Sequence, residues 1–184
     1  MVIDKRELRV SMRALRKRLA DMTPDAATRA ASFTADLPSG SLVAVYRAVG
    51  AEFDPEPLAH ALILAGRLLC LPVALERDAA LIFRRWSPGE PLEMDVAGCP
   101  APLPLAEVVT PDLIVTPLLA FDDTGGRLGQ GGGFYDRTFG VFPDATRVGL
   151  AYEGQGVDDL PMHPHDVRLH GVLTEVGYTP ARKV

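Results

Sequence analysis

Apolar residues at helical spacing open the chain. Leu8, Met12, Leu15 and Leu19 recur every three or four residues, so on a helix they form one stripe that faces the core. Asp4 precedes them and has the side chain of an N-cap. The pattern therefore predicts a first helix that begins after Asp4 and buries this stripe.

Two further helices are predicted from pairs of a capping residue and proline. Thr23-Pro24 indicates a helix that the Leu37-Pro38 pair closes, since proline suits the first helical position and stops a helix elsewhere. Asp54-Pro55 repeats the pattern before EPLAHALILA, and Gly66 supplies a C-terminal stop. The chain is thus expected to carry three helices before its middle.

Near-continuous apolar runs lie between and after these helices. They lack the alternation of a sheet with one solvated face, and such Val, Ile and Leu runs are typical of parallel strands covered by helices on both faces. The predicted strands are SLVAVYRA (41–48), LLCLPVAL (68–75), ALIFRRW (80–86), LIVTPLLA (113–120), RVGLAY (147–152) and HGVLTEV (170–176). Helices and buried strands together predict an α/β fold, in which the proline-rich GCPAPLPLAEVVTP is a long connection.

Composition narrows the class of protein. A chain of 184 residues with 47% hydrophobic and 23% charged residues has the size and balance of one globular domain, predicted to span 1–184. Its net charge of -5 argues against general nucleic-acid binding. The two cysteines, Cys70 and Cys99, are too few for a disulfide framework. No apolar run is long enough for a membrane span or signal peptide, so a cytoplasmic protein is expected.

The segment GGRLGQGGGFYD places six glycines within the nine residues from Gly125 to Gly133. It follows a predicted strand and precedes the helical pattern FYDRTF. Anions bind at such positions, because bare backbone N–H groups can converge on phosphate oxygens. The spacing matches neither a Walker A loop nor G-x-G-x-x-G. Glycine content alone therefore leaves two interpretations open, a phosphate cradle or a surface segment that is either a flexible loop or a tight turn.

The segment RLGQGGGFYDR closely resembles the RLG-x-G-x-GYYDR signature of the 5-formyltetrahydrofolate cyclo-ligases, also called 5,10-methenyltetrahydrofolate synthetases. The resemblance covers nearly the whole chain, through KRELR, FRRW, the AFD turn, LAYEGQ and PHDVRLHGVLTE. It implies a three-layer α/β/α fold with a mostly parallel central sheet, of the NagB/RpiA-like type. We expect a monomer that acts on a reduced folate and ATP, without a nucleic-acid or membrane partner.

The resemblance also implies a reaction. The family closes an imidazoline ring on 5-formyltetrahydrofolate with ATP and Mg²⁺, giving 5,10-methenyltetrahydrofolate, ADP and phosphate. The formyl oxygen is a poor leaving group, so family membership implies that it first attacks the γ-phosphate of ATP. The neighbouring amine then adds and phosphate departs. Aligned phosphoryl transfer of this kind needs backbone amides, cations and a metal around the phosphates.

The resemblance implies roles for individual residues. Arg127 and Asp136 are the predicted catalytic residues, and Asp136 and Asp166 are the predicted magnesium ligands. The predicted ATP contacts are Lys5, Arg9, Arg127, Leu128, Gly129, Gln130, Gly131, Gly132, Gly133, Phe134 and Tyr135. The predicted folate contacts are Arg47, Glu52, Trp86, Tyr135 and Tyr152, with Gln155 as a neighbour.

Several of these residues also have a structural interpretation. Lys5 and Arg9 share a helix face, whereas the rest of the basic run is interpreted as a solvated face; that run is Arg13, Arg16, Lys17 and Arg18. Trp86 either belongs to the core or forms a wall of the pocket. His163 and His165 flank Pro164 before Asp166, but magnesium prefers oxygen ligands, and zinc would want more imidazole or thiolate ligands than this chain clusters.

Two residues depart from the family pattern. Arg47 stands where family members commonly carry an apolar or small residue, so it either changes the shape of the folate pocket or pairs with the glutamate tail. Ala101 replaces an acid in the GIPEP-like segment, here GCPAP. These departures keep an alternative open: a non-catalytic folate- or nucleotide-binding relative, or an enzyme that acts on another formyl compound.

Overall fold

The computed structural model describes residues 4–183, which form four α-helices and twelve strands. The helices are α1 (Lys5–Met22), α2 (Ala26–Ala31), α3 (Glu56–Leu64) and α4 (Phe134–Val141), and short 3-10 turns lie at Thr34–Asp36 and Glu153–Gln155. The strands are β1 (Leu42–Ala44), β2 (Leu68–Val73), β3 (Ile82–Arg85), β4 (Leu92–Met94), β5 (Pro100–Pro102), β6 (Val108–Val109), β7 (Leu113–Pro117), β8 (Ala120–Phe121), β9 (Arg127–Leu128), β10 (Thr146–Leu150), β11 (Gly171–Thr174) and β12 (Gly177–Pro180).

Eight strands form the central sheet, in the order β12-β11-β10-β7-β1-β2-β3-β6. The five strands from β11 to β2 pair in parallel. Antiparallel pairs flank them at both ends of the sheet. The prediction of an α/β fold with a mostly parallel sheet is confirmed, but the run 80–86, expected to be parallel, forms β3 antiparallel to β2. The hydrophobic pattern of a strand indicates which of its residues are buried, but not whether the strand runs parallel or antiparallel to its neighbour.

Successive residues of the central strands face opposite sides of the sheet, because side chains alternate along a strand. Val43 of β1 packs with Leu58 of α3 in one buried cluster, which also contains residues of α2. Ala44, the next residue, packs in a second cluster with Phe139 of α4. Helices therefore cover both faces, which gives the three layers that were expected and explains why the strand sequences are apolar throughout.

The helix boundaries agree with the sequence at α1 and α3 and differ at α2. The carboxylates of Asp4 and Asp54 each accept an N–H from the first turn of the helix that follows. Gly66, with φ of +79°, comes just after α3. Thr23 ends α1 instead of capping α2, since its hydroxyl donates to a carbonyl one turn earlier, and α2 has only six residues. No helix in the described part of the chain is long and apolar enough to cross a membrane.

The predicted strand 113–120 is interrupted, and the interruption positions the glycine-rich segment. β7 ends at Pro117, and β8 then pairs with β9 in a short hairpin outside the main sheet. The buried carboxylate of Asp122 accepts N–H bonds from Thr124, Gly126 and Leu160, which holds the hairpin turn in place. The chain leaves β9 through the glycines and enters α4 after Gly133.

Candidate active site

A cavity of about 1100 Å³ lies beside the carboxyl ends of β1, β2 and β7. The sheet order reverses between β1 and β7, since β2 follows β1 on one side and β7 lies on the other. Ligands of open α/β sheets bind in the crevice at such a reversal. Two sides of the cavity can be distinguished. The loop side consists of the start of α1 and residues 127–137, and the strand side consists of Tyr46, Arg47, Val49, Glu52, Pro72 and Cys99.

The loop side is held together by contacts between α1 and the glycine-rich segment. Arg9 Nε donates to the carbonyl of Gly129 at 3.0 Å, and Arg13 Nε donates to the side-chain oxygen of Gln130 at 3.0 Å. All eleven predicted ATP contacts line the cavity here, and they are Lys5, Arg9, Arg127, Leu128, Gly129, Gln130, Gly131, Gly132, Gly133, Phe134 and Tyr135. The tertiary fold thus brings the basic face of α1 onto the glycine-rich segment.

Arg127 and Asp136 form an ion pair on this side. Arg127 Nη2 lies 2.9 Å from Asp136 Oδ1, and the Arg127 side chain is only 5% exposed. Its guanidinium also lies over the rings of Tyr135 and Phe139, 5.8 and 5.5 Å from their centroids. Because packing and the carboxylate both fix its position, Arg127 presents a preorganised positive charge to the cavity.

Lys5 and Asp166 form a second ion pair across the same region, with Nζ 2.6 Å from Oδ2. The N–H of His163 donates to the same oxygen at 2.7 Å. Burial opposes ionisation of Asp166, but the His163 N–H and the Lys5 ammonium together hold the pKa of this carboxyl below its usual value. Asp166 is therefore ionised at neutral pH.

The two predicted magnesium ligands lie close together. The N–H of Val167, the residue after Asp166, donates to Asp136 Oδ1 at 3.2 Å, and both carboxylates line the cavity. Residues 4–183 contain no group of three or more histidine, cysteine or acidic side chains that could hold a metal by themselves. The imidazole of His165 lies 3.7 Å from Asp166 Oδ1. Two carboxylates nevertheless fit magnesium, which takes one or two protein carboxylates and completes its shell with phosphate and water.

The strand side centres on Glu52, whose side chain lines the cavity and is largely buried. Glu52 Oε2 accepts the N–H of Val49 at 3.0 Å, and Oε1 lies 3.9 Å from Arg16 Nη1. Burial raises the pKa of Glu52, although the Val49 N–H and the Arg16 cation both act to lower it. The hydroxyl of Tyr46 donates to the carbonyl of Phe53 at 2.5 Å and fixes the segment that carries Glu52.

The remaining predicted folate contacts divide between the cavity and the core. Arg47 lines the cavity, and its guanidinium lies 3.6 Å from a Glu56 carboxylate oxygen and 5.8 Å from the centroid of the Trp86 ring. Trp86 is buried behind Arg47 and does not line the cavity. Tyr152 is also buried away from it, with its ring centroid 4.6 Å from that of Phe53. Arg47, Glu52 and Tyr135 are thus the predicted folate contacts that meet in the cavity.

The structure also corrects or adds to the sequence interpretation. The basic run predicts Arg16 on a solvated face, but the residue is buried beneath Glu52. Its spacing of four from Met12 places it on the buried stripe of α1. Gln155 is a structural residue, since its amide donates to two carbonyls of the β7–β8 connection. Ala101 is buried in β5 outside the cavity. Tyr46 was missed because it continues an apolar strand pattern.

Comparison with known proteins gives a consistent result. The sequence model of the 5-formyltetrahydrofolate cyclo-ligase family matches residues 2–175. The 5-formyltetrahydrofolate cyclo-ligase of Escherichia coli K12 is 35% identical over 164 residues, which cover 84% of this chain and 88% of the relative. The 5-formyltetrahydrofolate cyclo-ligase of Haemophilus influenzae is 33% identical over 178 residues, covering 91% and 92%.

Solved structures agree at the level of the whole fold. The NMR structure of the 5,10-methenyltetrahydrofolate synthetase of Aquifex aeolicus superposes with a TM-score of 0.76 at 28% identity, covering 98% of this chain and 94% of that one. The 5,10-methenyltetrahydrofolate synthetase of Mycoplasma pneumoniae has a TM-score of 0.71 at 22% identity, covering 94% and 99%, and supports the fold alone.

Proposed function

This chain belongs to the 5-formyltetrahydrofolate cyclo-ligase family, whose named members are ligases, and from that premise we propose that it converts 5-formyltetrahydrofolate to 5,10-methenyltetrahydrofolate while ATP becomes ADP and phosphate. One observation carries the proposal. The predicted ATP contacts, three predicted folate contacts and both predicted magnesium ligands line a single cavity, although they come from segments up to 161 residues apart. Its volume of about 1100 Å³ can accommodate two ligands side by side.

The proposed reaction has two steps. The formyl oxygen attacks the γ-phosphorus, the bond to the β–γ bridging oxygen breaks, and ADP leaves. The formyl carbon is then electrophilic, the neighbouring amine adds to it and loses its proton, and the C–O bond breaks to release phosphate. The first step creates no new net charge but redistributes it over the phosphate oxygens, so catalysis depends on alignment and on fixed positive charge.

The loop side supplies that positive charge. Lys5, Arg9 and Arg127 line the cavity together, and the N-terminal end of α4 adjoins it through Phe134. The dipole of α4 adds partial positive charge at this end. Asp136 and Asp166 would hold Mg²⁺, which neutralises phosphate charge when bound. Asp166 pairs with Lys5, and Asp136 pairs with Arg127. The proposed metal ligands and the proposed phosphate-binding cations therefore already lie next to each other in the cavity.

The strand side is proposed to hold the folate. The carboxylate of Glu52 can accept hydrogen bonds from the ring N–H and amino groups of a pterin. Arg47 is 32% exposed and held at its position by Glu56 and Trp86, so it can pair with a carboxylate of the glutamate tail. The reacting formyl group would then lie between the two sides.

The activity can be tested by mixing the protein with 5-formyltetrahydrofolate and MgATP and following the near-ultraviolet absorbance of the methenyl product. We expect product only when both ATP and magnesium are present. Product that forms with the metal chelated would rule out the proposed mechanism. The alternative function, a folate- or nucleotide-binding relative without turnover, is favoured by the Arg47 departure; it predicts folate binding without product.

A further inference from the structure

Arg16 is the buried cation of the strand side. Its side chain is only 7% exposed, and it lies behind Glu52 without lining the cavity. Arg16 Nη1 donates to the carbonyl of Leu118 at 3.2 Å and lies 3.9 Å from Glu52 Oε1. Arg16 Nε is buried and has no hydrogen-bond partner among the described residues. The guanidinium of Arg16 is therefore shielded from water and has few hydrogen-bond or ion-pair partners in exchange.

Such an arrangement is costly unless a nearby charge compensates it. An uncompensated charge in a low-dielectric environment is strongly unfavourable, and one hydrogen bond to a backbone carbonyl offsets only part of that cost. Burial lowers the pKa of Arg16, while the carboxylate of Glu52 acts to raise it. Arginine nevertheless remains protonated in proteins. The positive charge at this position is therefore matched chiefly by Glu52.

We propose that Arg16 is a positioning residue that keeps Glu52 ionised and directed into the cavity, where the carboxylate accepts hydrogen bonds from the folate. This inference rests on the proposed function, because it assigns Glu52 to the folate. Arg16 itself touches no ligand. Its effect on the reaction would pass entirely through Glu52, and this distinguishes it from the cations of the loop side.

Among the described residues, the other side chains that interact with Glu52 are neutral at pH 7. They come from the end of β1, the β4–β5 hairpin, α4 and the glycine-rich segment, and they are Tyr46, Cys99, Tyr135 and the amide of Gln130. Burial raises the pKa of both tyrosines and of the cysteine thiol, so none of them ionises near neutrality. Arg16 is thus the cation that counteracts the desolvation of Glu52.

The direction of the pH effect follows from these contacts. Burial raises the pKa of Glu52, and the Val49 N–H and the Arg16 cation both limit that rise. Without the cation the pKa rises further, so Glu52 becomes protonated at a higher pH and loses its capacity as a double acceptor. Folate affinity that depends on ionised Glu52 is present above this pKa and is lost as the pH falls through it. Neutralising Arg16 should therefore move the acid limb of folate binding to higher pH.

The test measures the dissociation constant of 5-formyltetrahydrofolate without nucleotide, from roughly pH 5 to pH 8, for the wild type and for Arg16→Gln and Arg16→Met. Opposite charges at this distance shift carboxyl pKa values by about one unit or more, so the acid limb should move up by about one pH unit. Arg16→Lys, which keeps the charge, should move it less. Arg18→Met, at an exposed arginine of the same helix, should leave it unchanged.

A double-mutant cycle separates this role from packing. In a Glu52→Gln background there is no carboxyl to titrate, so Arg16→Gln should leave the pH profile unchanged. The proposal would be overturned if Arg16→Gln lowered folate affinity equally at every pH, or by the same factor in the wild-type and Glu52→Gln backgrounds. Failure of both Arg16→Gln and Arg16→Met to fold would also overturn it. If the wild type binds folate but makes no methenyl product, the proposed function fails while the pH shift can still be measured.

Discussion

The glycine-rich segment has two parts with different surroundings. In the turn half, Gly125 and Gly126, an added Cβ would overlap the Leu169 carbonyl oxygen and the Asp122 carboxylate respectively. In the cavity half, residues 129–133, every residue lines the cavity. At Gly131 an added Cβ would meet nothing closer than the flexible Arg9 side chain at 3.5 Å.

This difference shows that one run of glycines can serve two requirements. The turn half needs glycine because neighbouring atoms occupy the space of a side chain. At Gly131 there is room for a Cβ, but φ of +106° is a backbone conformation that other residues rarely adopt. The interpretation as a tight turn therefore applies to the turn half, and the proposed phosphate cradle depends on the cavity half alone.

The largest effect is expected from Gly125→Ala. Its Cβ would overlap backbone that is itself hydrogen-bonded, and its φ of +81° adds strain, so the free energy of unfolding should fall by about 3 kcal/mol. Thermal or denaturant unfolding measures this. Gly140→Ala is the control, because an added Cβ there meets nothing within 4 Å. A Gly125→Ala protein as stable as the wild type would remove the distinction between the halves.

The second-largest effect is expected from Asp136→Asn, at a residue just after the cavity half of the glycine-rich segment. Loss of a charge at the proposed metal and phosphate position should lower kcat by about 100-fold. Stability should fall much less, because the asparagine oxygen can still accept from Arg127 and Val167. Methenyl formation per folded molecule is the measurement, and Asp123→Asn, at an exposed ion pair, is the control. Intact turnover with a large loss of stability would make Asp136 a structural residue.

A smaller effect is expected from Gly131→Ala and Gly133→Ala. A change of backbone conformation in the cavity half should raise the KM for ATP by about tenfold, since backbone strain of this kind costs about 1–3 kcal/mol. Folate binding without nucleotide should change little. The two ligands can be compared by steady-state kinetics and by direct folate titration. Equal loss of ATP and folate affinity with a lower Tm would contradict the phosphate cradle and assign the cavity half to folding.

The smallest effect is expected across the cavity, at Arg47→Leu. A partly exposed charge pair contributes up to about 1 kcal/mol, so the KM for 5-formyltetrahydrofolate should rise by roughly threefold. An analogue without the glutamate tail should show no change, because its missing carboxylate cannot pair with Arg47. The ratio of the two KM values is the measurement. An equal rise for both would mean that Arg47 shapes the pterin pocket instead of binding the tail.

The predictions from sequence succeeded where the information is local. The stripe of α1, the caps at Asp4 and Asp54 and the six long apolar strands were predictable, because periodicity and capping depend on residues within a few positions of one another. The position of the glycine-rich segment between a strand and a helix was predictable for the same reason. Its resemblance to a family signature supplied the candidate site residues. The expectation of a plain connection at GCPAPLPLAEVVTP was wrong, since β5 and β6 form there without a long apolar run. By itself the sequence determined the fold class, the family and which residues form the loop side of the cavity.

The tertiary structure decided matters that depend on distant residues. Arg16 is buried because the chain 102 residues later places Leu118 over α1, and Glu52 approaches it from a third segment. Contacts between distant segments also decide three other features. These are the direction of β3, the position of Trp86 behind Arg47 and the division of the glycines into a turn half and a cavity half. Periodicity along a chain states which side chains avoid water, but the partner that each one meets is set by how separate segments pack, and only the folded molecule contains that information.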